Sequence, residues 1–280
     1  MGHVAIVTDS ASDLVPGADE GITVIPLVVA FGDREFRAGQ DLTADRFWDL
    51  LTEPGAPFPL TAATSPRVFE DAFRSCLAAG AESIVCVTVA GTLSAVIQSA
   101  RLAREVFADR EILVVDSWSA SMGEGMLAQM GAEMAAAGAS AGAIAQALQG
   151  RQKDLDLYVV LETLEYLRRG GRIGGARAAL GTMLSVKPII TLRDGTVEQA
   201  DRVRTRLRAR QRLIELLSQA PVERIALLHA RAPDIEAFGD ELAQATGFPR
   251  ERITTQLIGP TIGAHLGPGA YGAVVMRRSA

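Results

Sequence analysis

Four short runs rich in β-branched residues recur through the first half of the chain: residues 4–10 (VAIVTDS), 23–31 (TVIPLVVAF), 83–89 (SIVCVTV) and 111–117 (EILVVDS). They are continuously apolar and lack the alternation of a sheet with one wet face. The pattern therefore predicts strands buried on both faces, as in a parallel sheet. Helical periodicity follows them at 66–77, 94–106 and 120–136, and this alternation predicts a three-layer α/β arrangement. The second half reads differently. A strand at 155–161 is followed by two runs, 187–192 and 196–203, that flank Asp194-Gly195, a strong hairpin signal. A helix at 205–218, a strand at 224–229, a helix at 233–245 and a strand at 253–258 come next. A glycine- and proline-rich turn then leads to a last strand at 271–276. A hairpin among helices predicts an α+β domain with a mixed sheet. The fold class is thus α/β: a three-layer parallel-sheet domain over 1–152 with ligand loops at its strand ends, then an α+β domain with a mixed sheet over 153–280. Residues 138–151 read as the lead across the boundary.

Composition removes several classes of function. The net charge of −5 argues against a nucleic-acid binder, which carries a basic excess. Cys76 and Cys86 fall at a helix end and in a buried strand, the placement of packed, reduced thiols. No apolar run reaches the roughly 20 residues of a membrane span, since 122–147 is interrupted by Glu124, Gln129 and Glu133. No signal peptide precedes the first strand, so a soluble, cytoplasmic protein is expected. No H-E-x-x-H, C-x-x-C or paired Cys/His spacing is present, so no metal site and no cofactor are expected.

The stretch 162–190 (ETLEYLRRGGRIGGARAALGTMLSVKPII) is the least ordinary in the chain. Leu164 and Leu167 share a helix face, Arg168 and Arg169 complement the helix C-terminus, and Gly170 and Gly171 stop it. A second amphipathic run is read over 176–184. Between the two, Arg172 is held among four glycines. The G-x-x-G spacing follows a helix and not a strand, so it is not a dinucleotide fingerprint. Elsewhere, Asp9-Ser10, Thr88 and Asp116-Ser117 end parallel strands, where open α/β sheets place ligands, although each can also simply cap the helix that follows. Ser94 lies at a helix start after a strand, where a hydroxyl and free N–H groups can hold an anion. It lacks the glycines of a nucleophile elbow. Ser65 is a natural N-cap with Pro66 at the first helical position, which leaves Thr61 without a structural task. His265 lies in IGPTIGAHLGPGAYG, read as an exposed loop shaped by its glycines and prolines.

Taken in order, VTDSASDL, SPRVF, LSAVIQSA, VVDSWSASMGEG, LEYLRRGGRIGG, LSVKPII and GPTIGAHLGPGAYG resemble the DegV family of bacterial fatty-acid-binding proteins over nearly the whole chain. The resemblance implies a two-domain fold that buries an acyl chain and holds its carboxylate with Thr and Ser hydroxyls. It also implies a partner, a fatty acid kinase that receives the presented carboxylate for acyl-phosphate formation in phospholipid synthesis. By position, Thr61 and Ser94 are then the carboxylate-binding hydroxyls. Arg172 and His265 become the phosphate or partner contacts at the mouth, the imidazole acting there as a cation or a donor. The chain departs from the family pattern at Ala62 and at Ala95-Val96. The implied ligand is a long-chain fatty acid, and transient membrane contact fits its loading. Two rivals remain: an acyl hydrolase using Ser94 and His265 with Asp116 or Asp9, and a relative that has lost or changed its ligand.

Overall fold

The computed structural model describes residues 2–17, 21–179 and 186–278. The first part of the chain forms β1 (Val4–Asp9), β2 (Ile22–Ile25), β3 (Val28–Phe31), β4 (Arg34–Arg37), α1 (Ala44–Thr52), β5 (Pro59–Ala62), α2 (Pro66–Ala78), β6 (Ser83–Thr88), α3 (Val96–Glu105), β7 (Glu111–Asp116), α4 (Met122–Ala136) and α5 (Ala141–Arg151). The second part adds β8 (Leu155–Val160), α6 (Glu165–Arg169), β9 (Lys187–Arg193), β10 (Thr196–Val203), α7 (Arg206–Leu217), β11 (Val222–His229), α8 (Ile235–Thr246), β12 (Thr254–Leu257), α9 (Pro260–Leu266) and β13 (Tyr271–Arg277).

Four strands pair in parallel in the order β2-β1-β6-β7. Strand periodicity sends successive side chains to opposite faces, and both faces are covered. Val7, Ile84, Cys86 and Ile112 pack with Phe69 and Phe73 of α2 and Ala100 of α3. Ile6, Val85 and Val115 pack with Met126 and Leu127 of α4 and Ile144 and Leu148 of α5. This is the three-layer arrangement that the apolar runs imply. The second sheet is mixed, in the order β10-β9-β8-β13-β11-β12. One face carries α7 and α8 through Leu213, Leu217, Phe238 and Leu242. Its other face, with Leu157, Val159 and Val274, joins the same hydrophobic cluster as Ile6 and α4. Helix α4 is buried on every side from Met122 to Ala128 and lies between the two sheets. A helix without a polar face belongs in an interior, which is where this one sits.

Four departures from the sequence expectation have local causes. Residues 23–31 do not form one strand. Pro26 offers no N–H to a ladder, and the chain turns there into β3, the centre of an antiparallel β4-β3-β5 sheet. Residues 138–151 are not a lead between domains: Ser140 caps α5, whose Ile144 and Leu148 are fully buried. Helix α1, capped by Thr43, has no counterpart in the reading of the sequence. The glycine- and proline-rich segment before β13 contains α9, with Pro260 at its first position and Gly267 (φ +74°) ending it. The run proposed over 176–184 lies largely outside the described residues; those described form a short 3-10 segment, Gly174–Ala179. The Asp194-Gly195 hairpin forms as read. Both residues have positive φ (48° and 76°), as a type I′ turn demands.

Candidate functional site

A cavity opens at the carboxyl ends of β1 and β6, the point where the strand order of the parallel sheet diverges, and it reaches the inner face of the mixed sheet. Its deep wall is apolar. Adjacent strands supply it in register: Val159 pairs with Ile190, and Leu192 with Val197. Leu157 and Leu228 complete this wall, and among these residues Val159, Ile190, Val197 and Leu228 are buried to within 4% of full burial. Val89, Leu93, Ala120 and Leu167 face them. The free space at the cavity, open mouth and adjoining solvent included, is about 820 Å³.

The polar groups gather elsewhere in the same cavity. Thr61, Ser94, Arg172 and His265 all line it, and all four are partly exposed beside Ala62 and Ala63, which are exposed. Thr61 is held on β5 by pairing with Val29, and its Oγ1 lies 2.8 Å from His265 Nε2. Ser94 sits in the turn before α3, not inside the helix, and its Oγ accepts weakly from Val96 N at 3.4 Å. Arg172 donates from Nε to Leu93 O (3.0 Å) and from Nη1 to Gly170 O (2.7 Å). No carboxylate engages it among the described residues, so its charge is open to a ligand.

The glycines around Arg172 now have reasons. A Cβ on Gly170 would lie 2.2 Å from His265 Nδ1, so the imidazole packs directly on the glycine backbone. Gly171 (φ +73°) reverses the chain after α6, and a Cβ on Gly174 would meet Val197 O at 2.4 Å.

His265 differs from the sequence expectation in two ways. It is on a helix and not in an exposed loop, because α9 is wedged between α1, α6 and β5. It is also not a cation: burial, reinforced by the Arg172 charge, pushes its pKa down to about 4, so the ring is neutral at pH 7. Its Nδ1 is enclosed without a hydrogen-bond partner among the described residues. A Ser–His–Asp arrangement needs the imidazole between serine and carboxylate. Here Nε2 engages Thr61, no carboxylate reaches Nδ1, and no hydrogen bond joins Ser94 to His265 among the described residues.

The strand-end acids do structural work beneath the cavity. Asp9 accepts from Ala11 N (2.8 Å) and Val89 N (3.0 Å), and Asp116 accepts from Gly91 N (3.1 Å) and Trp118 N (3.0 Å). Three groups went unnoticed in the sequence. Thr261 of α9 pairs with Ser10 at 3.0 Å. Asp13, in left-handed conformation (φ 58°), bonds Ser121 Oγ and accepts from Gly259 N. Glu124, fully buried, accepts from Thr8 Oγ1 at 2.8 Å. Only the proximity of Asp13 to the VTDS strand end could have flagged one of them. Among the described residues no cluster of three or more His, Cys, Asp or Glu side chains could hold a metal, and no helix is long and apolar enough to cross a membrane.

Fold and cavity together define an α/β protein of three sheets built around an apolar cavity with a hydroxyl, imidazole and guanidinium end. Residues 3–278 match the family model described as an uncharacterised protein of the DegV family, and the chain belongs to that family. A DegV domain-containing protein of Streptomyces coelicolor is 36% identical, with 99% of each chain covered. A DegV family protein of Thermus thermophilus, solved in a study of its fatty acid binding, is 34% identical. It superimposes with a TM-score of 0.90 over 99% of this chain and 100% of that one. A stearic-acid-binding protein of Eubacterium ventriosum is 25% identical, with a TM-score of 0.84 over 99% of this chain and 98% of the other.

Proposed function

We propose that the cavity holds a long-chain fatty acid, acyl chain against the mixed sheet and carboxylate at the Thr61–Ser94 end. The carrying observation is that one cavity joins an apolar wall to a set of polar side chains, the partly exposed Thr61, Ser94, Arg172 and His265 beside the buried Ser121 and Thr261. The fatty-acid-binding relatives from Thermus thermophilus and Eubacterium ventriosum support the choice of ligand. Burying about 15 methylenes contributes roughly 0.8 kcal/mol each, about 12 kcal/mol before ordering costs. A hydrogen bond to a charged carboxylate adds about 1.5–3 kcal/mol. Affinity therefore lies in the chain, and orientation lies in the head.

The neutral imidazole refines the role of His265. With Nδ1 unpartnered, the less costly tautomer places the proton on Nε2, which then donates to Thr61 Oγ1. The Thr61 O–H is thereby free to donate to the carboxylate, and Arg172 balances the ligand's charge. In this reading the carboxylate sits at the mouth, within reach of a fatty acid kinase that would convert it to an acyl phosphate. The protein would act as carrier and presenting subunit, with residues 1–152 supplying the hydroxyl loops and residues 153–280 supplying Arg172, His265 and the apolar wall. Native mass spectrometry of the purified protein tests the first part: a bound mass near a C16–C18 fatty acid is expected. Protein that is empty and refuses added palmitate and oleate would end this reading. For the presenting role, wild-type protein loaded with fatty acid should support acyl-phosphate formation by a cognate kinase, and Ser94→Ala should lose more of that activity than of its lipid affinity.

A further inference from the structure

The turn that carries Ser94, residues 90–95, is gripped from the far side of the cavity. Thr92 Oγ1 donates to Gly195 O at 2.5 Å, joining it to the tip of the β9–β10 hairpin. The contact is close on both sides. A Cβ on Gly195 would lie 2.9 Å from Thr92 Oγ1, 3.1 Å from Ala90 Cβ and 3.5 Å from Trp118 Cα. The positive-φ turn at Asp194-Gly195 thus does more than reverse a hairpin: its bare backbone is inserted between the loops that follow β6 and β7. Those two loops are tied to each other from below, by Asp116 bonding Gly91 N and Trp118 N and by Ala90 N donating to Ser119 O at 2.9 Å. Arg172 adds the second link across the cavity, through Leu93 O.

Ser94 itself is weakly held. Among the described residues its hydroxyl has only the 3.4 Å contact with Val96 N, so its direction is set by the backbone of residues 92–94. We propose that Thr92 and the Gly195 hairpin tip form a clasp that positions Ser94, making Thr92 a positioning residue for recognition of the ligand's carboxylate. This deepens the fatty-acid reading and rests on it. Thr92 is outside the cavity lining. Its effect passes through one backbone turn to one hydroxyl, so it is felt by a charged head group and hardly by the acyl chain.

The test compares palmitate with methyl palmitate, whose uncharged ester accepts weaker hydrogen bonds, by titration calorimetry on wild type, Thr92→Val, Thr92→Ser, Ser94→Ala and the Thr92→Val/Ser94→Ala double variant. Thr92→Val should weaken palmitate about tenfold, the loss of a charge-assisted hydrogen bond at its low end, and methyl palmitate by at most about threefold. Thr92→Ser should restore palmitate binding, and Thr92→Val should cost nothing further in the Ser94→Ala background. Unchanged palmitate affinity in Thr92→Val overturns the clasp. So do equal losses for acid and ester, which would mean that the contact only shapes the cavity, and so does additivity with Ser94→Ala. Wild-type protein that takes up neither ligand overturns the fatty-acid reading itself, an outcome distinct from normal wild-type binding with an inert Thr92.

Discussion

His265 and Asp13 show how burial sets the chemistry of single residues around this cavity. The imidazole, with a folded-state pKa near 4 against an ordinary value of 6.5, is neutral across pH 6–8. Fatty-acid affinity should therefore carry no His265 titration in that range, and a binding curve inflecting near pH 6.5 that vanishes in His265→Gln would contradict this. Asp13 moves the other way: desolvation raises its pKa to about 7, against the pull of Ser121 and the Gly259 N–H. Between about pH 4 and 7 the folded protein keeps a proton on Asp13 that the unfolded chain has released. Its contribution is thus complete at low pH and is lost as pH rises through 7. Asn copies the protonated carboxyl and suits the left-handed backbone at this position. Asp13→Asn should raise stability at pH 8 by on the order of 2–4 kcal/mol, and by much less at pH 5. Urea melts at the two pH values check this, and an equal gain at both would show that backbone preference alone is at work.

At the level of elements, legibility followed the strength of local chemistry. Asp194-Gly195 between alternating runs can make little but a type I′ hairpin, and it does. Pro26 splits the run 23–31 between two sheets, but three of the four parallel strands were equally plain. Helix α9 was not, because glycine and proline dominate its sequence and the reasons for them are tertiary. Gly263 is the clearest case: a Cβ there would lie 2.6 Å from Phe47 Cε1 and 2.9 Å from Trp48 Cζ2, rings fixed by their mutual edge contact and by the Trp48 Nε1 bond to Ile258 O. The sequence spacing of 215 or more residues hides that contact. Propensity alone says that Gly263→Ala should gain up to about 1 kcal/mol. Overpacking against two buried rings costs about 1–3 kcal/mol. The variant should thus be less stable, and because α9 carries Thr261 and His265, its fatty-acid affinity should fall too. A melting temperature at or above wild type would show that the rings yield easily. The same reasoning covers the candidate site: Thr61 and Arg172 could be singled out because the local chain gave them no task, and Ser94 and His265 because the family resemblance maps them by position. Thr261, Glu124 and Thr92 could not, since their partners are 103 or more residues distant in sequence in every case.

For the whole molecule the consequence lies in where the cavity is. It interrupts the hydrophobic cluster that runs from the parallel sheet through α4 to the mixed sheet, so the same apolar wall that would bind a ligand also belongs to the core. A fatty acid in it is then a part of that core, added after synthesis. A ligand that binds only the folded state stabilises by RT ln(1 + [L]/Kd), about 2.7 kcal/mol at a hundredfold excess over Kd. For a chain of this size each kcal/mol moves the midpoint by roughly 2–4 °C. Delipidated protein should hence melt about 5–10 °C below the same protein reloaded with palmitate, as read by scanning calorimetry. Because the gain scales with buried methylenes, hexanoate at the same concentration should produce little shift. Equal shifts from both acids would locate the stabilisation in the carboxylate end, and no shift from either would separate the cavity from fatty acids altogether.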